Sequence, residues 1–427
     1  MISQRIRKLA ASSTSKEALW MTAEQFLTLC LNFYVGITVV RYLGPEGTGA
    51  INYAGAIAGL LGPLATLGLE SIVIRELARG GNDRSEIWQT ASKLLWGVTA
   101  LNTLVLVWIS LTQPPGSKQQ IAIWATAFSS LANFSTLHIW TFRAESRYRE
   151  IAKIRLAQMV VLQGIRFVMV IYNAPFIAFA AMMAVDPLLT AITTSYLSKK
   201  RLMDTIGYSE ANLKVAKRLL IESWPLILTG FGIMIYMRID LIMLERLSSV
   251  RAVGVFSAAT RISELFYMAP MILGRAIYPE MARLRIQAPK KFVSFYYAYI
   301  LSLIFISVIT IISMQVLGPW LIGTIYGNKF NDSINPFMIH IWATFPTYVG
   351  VAVTSMYQFE GESKVQMSAC FAGAIANITL NYYFIPTHGA VGAAYATVIA
   401  QTVAVFLPMI LFQKYRRIAT GKYLNHQ

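Results

Sequence analysis

Three arginines lie inside long apolar runs, where a permanent charge costs about 2.5 to 3.5 kcal/mol at the centre of a membrane helix and so calls for a partner or a task. Arg166 falls in the run 153–173, Arg238 in 222–244 and Arg261 in 253–273. At 1.5 Å per helical residue they sit about 10, 9 and 12 Å from the same side of their runs, so they could share one depth. Planar guanidinium forks gathered at one depth suit the oxygens of a phosphate group. Four acids share these oily surroundings: Glu24, Asp186, Asp240 and Glu264. Glu264 follows Arg261 by three residues, a spacing that favours a local ion pair. Asp240 follows Arg238 by two and so faces away from it, though it could reach Arg261 from a neighbouring helix. Either Glu24 or Asp186 could hold a coupling proton or cation, or serve structure alone. Asp186 precedes Pro187, which should kink its helix and free carbonyls. Lys93 is close enough to an end of its run to snorkel.

The remaining reactive side chains point nowhere. His138 and His340 do not correspond under any repeat, and Cys30 and Cys370 read as small buried hydrophobes. No disulfide framework, metal cluster, Walker motif or nucleophile with an obvious base is present.

The elements that must position these charges follow from composition. Of 427 residues 56% are hydrophobic and 13% charged, and the mean hydropathy is +0.53, far too oily for a soluble domain of this length. Twelve apolar stretches of spanning length recur, at 18–40, 48–69, 87–111, 119–142, 153–173, 176–197, 222–244, 253–273, 292–317, 334–358, 365–385 and 389–413. They are longer and more continuously apolar than barrel strands, so the expected class is an all-α polytopic membrane protein with 12 transmembrane helices. The first run is of spanning length and contains Glu24, which reads as a retained helix rather than a removed signal.

The formal charge of +17 is a matter of placement. Alternating the twelve runs puts 28 of the 37 Lys and Arg on one side and five, Arg41, Lys118, Arg246, Arg251 and Lys329, on the other. That bias predicts a cytosolic location for both termini, and it accounts for the charge without a nucleic-acid partner.

Short phrases recur at intervals that widen from 204 or 205 residues to 217. "RYLGPEGTGAINYA" shares Arg41, Gly49 and Ala54 with Arg246, Gly254 and Ala259 of "RLSSVRAVGVFSAA", and Ala78–Arg79 returns as Ala282–Arg283. "FRAESR" at 142–147 is echoed by "FEGESK" at 359–364. Two parallel six-helix lobes around a central cavity result, residues 1–197 and 219–427, joined by the polar, basic linker 198–218, which would also suit an anionic leaflet. The outer loops are too short for an extramembrane catalytic domain, so no enzyme is expected. Repeated halves with an interface between them suit a path that opens alternately to each side. Glycine-rich stretches such as "GAIAGLLGPLATLG" would let helices approach closely.

Several segments now resemble a known family. "NITLNYYFIPTHGAVGAAYATVIAQ" at 377–401, "RIDLIMLERLSSVRAVGVFSAATRISELF" at 238–266 and "RYLGPEGTGAINYA" are similar to polysaccharide transporters, as is "WTFRAESRYREIAKIRL", where the family's usual Gln-Gly is replaced by Arg143 and Ala144. The resemblance implies a Wzx-type O-antigen or capsule-repeat flippase of the bacterial inner membrane, in the superfamily that also holds lipid II flippases and multidrug exporters. It implies a cationic cavity and an isoprenoid-diphosphate-linked oligosaccharide as substrate, carried outward with its lipid tail in the bilayer. On that expectation Arg238 and Arg261 bind the diphosphate with Arg166 as a third, and Asp240 and Glu264 hold the arginines and temper binding. A proton or sodium ion would be the coupling species, with no other cofactor. Membrane lipids and polysaccharide polymerase machinery are the expected partners, and an ion-coupled multidrug or toxin exporter is the competing reading.

Overall fold

A computed structural model describes residues 13–81, 83–205, 209–359 and 361–411, with side chains from residue 31 onward except at 148–151, 199–205, 363, 364 and 366. Every regular element among the described residues is helical, as hydrocarbon demands: a helix satisfies its own N–H and C=O groups where water cannot. In chain order these are α1 (Ser13–Ala65), α2 (Glu70–Arg79), α3 (Arg84–Leu111), α4 (Lys118–Ser130), α5 (Thr136–Ala144), α6 (Tyr148–Ile171), α7 (Phe176–Thr205) and α8 (Leu213–Leu247). Then follow α9 (Val250–Ser263), α10 (Met268–Gln287), α11 (Pro289–Tyr326), α12 (Ile334–His340), α13 (Thr344–Phe359) and α14 (Ser363–Leu411).

Local interruptions divide these rods. Gly44 adopts φ 68° and ψ −178° inside α1, a left-handed backbone open to glycine, and Pro45 restarts the helix at a position where its missing N–H costs nothing. Gly389 breaks α14 in the same manner at φ 52°. Tight 3₁₀ turns join α4 to α5 (Leu131–Ser135), α9 to α10 (Glu264–Tyr267) and α12 to α13 (Ile341–Ala343). By length and apolarity, seven helical stretches among the described residues are able to cross a membrane, or eight if the pair bent by 41° around 66–69 counts as one span. One of the seven, Asn328–Phe359, passes through the 3₁₀ turn at Ile341–Ala343, and the runs read at 365–385 and 389–413 share α14 and count once.

The chain forms two compact units, residues 1–42 with 65–223, and residues 43–64 with 224–427. In the first, α2, α3 and α5 close around Leu69, Val73, Leu77, Leu95, Leu137 and Trp140, joined by Leu219 from the start of α8. Arg75 donates to Glu222 at 2.7 Å, Arg79 to Glu76 at 2.9 Å, and Arg143 pairs with Glu70. These are exposed pairs, each worth at most about 1 kcal/mol. His138 shares a hydrogen bond with Ser198 at 2.6 Å.

In the second unit, α10, α11 and α13 pack Tyr296, Tyr299, Tyr348, Val353, Met356 and Tyr357 into an aromatic-rich core. The restarted part of α1 crosses α9 here with backbones in contact. A Cβ on Gly49 would fall 1.9 Å from the carbonyl oxygen of Val250, and one on Gly254 would fall 1.8 Å from that of Pro45. Pro45 and Val250 are 205 residues apart, as are Gly49 and Gly254. Each repeat thus offers its glycine to the other's counterpart residue, the reciprocal contact that a local two-fold produces.

The "FRAESR" echo behaves differently. Arg147 N–H donates to the carbonyl of Phe142 at 2.9 Å, and Glu362 N–H to that of Tyr357 at 2.8 Å. Ser146 and Gly361 supply the positive φ of the same helix-ending motif, at 59° and 71°. The backbone therefore repeats at 215 residues where the letters repeat at 217.

Candidate functional site

A cavity of about 960 Å³ lies in the second unit, walled by α8, the α9–α10 pair, α13 and the last part of α14. Its charged lining comprises Arg238, Asp240, Glu264 and Arg275. Arg238 is exposed, and its stem lies near Gly59, 3.8 Å from where a Cβ there would stand. Among the described residues, neither Arg238 nor Arg275 has a carboxylate within 4 Å or a side-chain hydrogen bond. Their donors are therefore available to a ligand.

Asp240 is 5% exposed and turns away from the arginines. Its Oδ1 accepts from Asn381 and its Oδ2 from the Thr397 hydroxyl at 3.3 Å. The Asn381 amide also donates to Asn377 at 2.8 Å, leaving Asn381 Oδ1 buried without a partner. The Asp240–Arg261 pairing open in the sequence does not form, because the α14 asparagines reach Asp240 first. Nor do Arg261 and Glu264 form an ion pair within 4 Å; α9 ends at Ser263, between them, and Glu264 opens a 3₁₀ turn. Glu264 lies within electrostatic range of both Arg238 and Arg261. Arg261 is exposed but is not part of the cavity lining.

The other expected site residues belong to the first unit. Arg166 Nη2 lies 3.6 Å from Asp186 Oδ2, and Nη1 donates to Gln163 at 3.3 Å, so that arginine is neutralised between α6 and α7. Asp186 is committed to the same pair. The Glu24 side chain lies outside the described residues. His340, in the wall of the cavity, is bound to Ser263 at 2.8 Å and buried.

Sequence reasoning missed Arg275, Asn377, Asn381 and Thr397. Arg275 was counted with the basic loop after the eighth run, yet "MILGRAIYPEMARL" continues as helix. Asn377 and Asn381 stand four apart on an apolar run, a spacing that puts two polar groups on one face. The Asp240 carboxylate, the oxygens of Asn377 and Asn381, and Thr397 Oγ1 gather around the Asn381 amide nitrogen in an oxygen-rich cluster, suited to a proton or, with that amide turned, a hard cation of low charge. The orphaned Asn381 oxygen fits that use.

These helices make the protein a multi-pass membrane protein with the fold of transporters in the MOP superfamily. The solved lipid II flippase MurJ in an inward closed conformation superposes with TM-score 0.75 at 12% identity, covering 95% of this chain and 91% of that one. A multidrug resistance MATE family transporter of the MOP superfamily gives 0.70 at 19% identity in its inward-facing conformation, covering 93% and 96%. An outward-facing structure titled in the same way gives 0.59 at 17%, covering 97% and 98%. A search of curated proteins gives no match. Residues 15–285 match the family described as polysaccharide biosynthesis protein, and the chain belongs to that family.

Proposed function

We propose that this protein flips an isoprenoid-diphosphate-linked oligosaccharide, such as an O-antigen repeat unit, from the cytosolic to the outer leaflet of a bacterial inner membrane by alternating access. The observation that carries this reading is the cavity in the second unit with two unpaired guanidiniums, Arg238 and Arg275, in a member of a polysaccharide biosynthesis family. Arg238 is the principal diphosphate ligand, and Arg261, unpaired and beside Glu264, is its neighbour along the path. Arg166 is left as a structural partner of Asp186. Glu264 tempers the positive field so that release remains possible. Twelve spans follow from the apolar runs, and the charge bias of their loops puts both termini in the cytosol. Outward movement of the anionic headgroup is favoured by an inside-negative potential by about 2.3 kcal/mol per charge per 100 mV.

Asp240, Asn377, Asn381 and Thr397 would hold the coupling sodium ion or proton, which when bound neutralises the buried carboxylate. The multidrug-exporter reading predicts acids dominating the cavity, whereas Asp240 is engaged by Asn381 and Thr397 and Glu264 lies in the field of Arg238 and Arg261. The polymerase machinery is the consumer that such a flippase would serve. Deleting the gene tests the proposal: lipid-linked repeat units should accumulate on the cytosolic leaflet, whereas drug sensitivity with unchanged surface glycan would overturn it.

A further inference from the structure

One wall of the cavity has a chemistry unlike the arginines. α13 presents two faces of opposite character. Tyr348, Val349, Ala352, Val353, Met356 and Tyr357 turn into the unit's core. Thr347, Thr354, Ser355 and Gln358 turn the other way, into the cavity, with Gly350 and Val351 between the first two completing a single helical stripe. Thr347 donates to Gln401 at 2.8 Å and Ser355 to the Val351 carbonyl one turn back at 3.0 Å. Among the described residues, Thr354 and Gln358 make no side-chain hydrogen bond. Across from the stripe stand Arg275 and Tyr278 on α10, and the Tyr278 ring is stacked on Phe359 with centroids 4.6 Å apart.

The geometry points to this stripe as a saccharide-binding wall, a deepening that rests on the flippase reading above. Hydroxyl and carboxamide groups both donate and accept, which is the pattern a sugar's hydroxyls require. They carry no charge, so they favour a neutral polyhydroxyl group over a bare diphosphate or a cationic drug, whose binding is dominated by charge. Tyr278, fixed by Phe359, offers a flat apolar surface for the carbon face of a sugar ring, and Arg275 reaches the adjoining phosphate. The wall reads the first sugar, while Arg238 and Arg275 read the linkage that every such substrate shares.

Binding to the full chain in lipid nanodiscs tests this with two probes, undecaprenyl diphosphate and undecaprenyl-diphospho-N-acetylglucosamine. Wild type should bind the glycosylated lipid about tenfold tighter, the gain expected of two neutral hydrogen bonds. The near-isosteric pair Thr354→Val and Gln358→Leu should erase that preference and leave the bare lipid's affinity unchanged. Arg275→Ala should weaken both probes alike. A double variant that keeps the preference, or that loses both probes in equal measure while folded, overturns the saccharide wall. Failure of the flippase reading has another signature, since wild type then binds neither probe.

Discussion

Replacing Gly254 with alanine tests the helix crossing on which the repeat closes. The new methyl carbon would start 1.8 Å from the Pro45 oxygen, and real Cβ atoms essentially never come within 3.0 Å of such a neighbour, so the two backbones must separate by at least about 1.2 Å. Alanine at Gly49 starts 1.9 Å from the Val250 oxygen and demands about 1.1 Å in the same direction. Overpacking of this kind costs about 1 to 3 kcal/mol per site. Because one displacement relieves both clashes, the double variant should cost little more than the worse single one, a departure from additivity typical of residues in contact. The assay is thermal denaturation of purified protein, with Gly97→Ala as a control, since a Cβ there meets nothing within 4 Å. Each single variant should melt below wild type, the control should not, and the double should melt with the worse single. Summed shifts, or single variants that melt as wild type does, would refute the reciprocal crossing.

Arg238→Ala should reduce surface glycan at matched protein level by roughly tenfold or more, the loss of a charge-assisted hydrogen bond of about 1.5 to 3 kcal/mol, with Lys intermediate because it keeps charge but not the fork; unchanged glycan would remove Arg238 from the site. Sodium should raise the melting temperature of wild type relative to choline, by about 2.7 kcal/mol of stability at a hundredfold excess over Kd, and Asp240→Asn should abolish the response. A sodium response retained in that variant, or absent from wild type, refutes the cation reading. Ser263→Ala strands the buried His340 nitrogen and should cost about 1 to 3 kcal/mol of stability while export per folded molecule is preserved; an unchanged melting temperature would show that the bond carries no weight.

The fold was legible because membrane length and loop charge are local properties, readable run by run. The repeat was legible for the same reason at Gly49 and Gly254, where close approach permits only glycine. Partner choice between helices was not. Nothing local to Arg166 distinguishes it from Arg238, yet α7 brings Asp186 to the first, and no acid pairs with the second. Asp240 looked like a counterion for Arg261 because that arginine falls in the next apolar run; its true neighbours, Asn381 and Thr397, are 141 and 157 residues away. The "FRAESR" echo was real as a turn but shifted by two, since a helix-ending motif is specified by hydrogen bonds and a positive φ rather than by residue names.

The 3₁₀ turn at Glu264–Tyr267 also has a mechanical meaning. Beyond it, α10 runs for 20 residues, a lever of about 30 Å at 1.5 Å per residue. Pivoting that rod by roughly 5° swings its tip by about 2.6 Å but shifts Arg275, eight residues from the fulcrum, by only about 1 Å. A pivot at this turn would therefore move the far end of α10 more than twice as far as the residue that carries the guanidinium into the chamber.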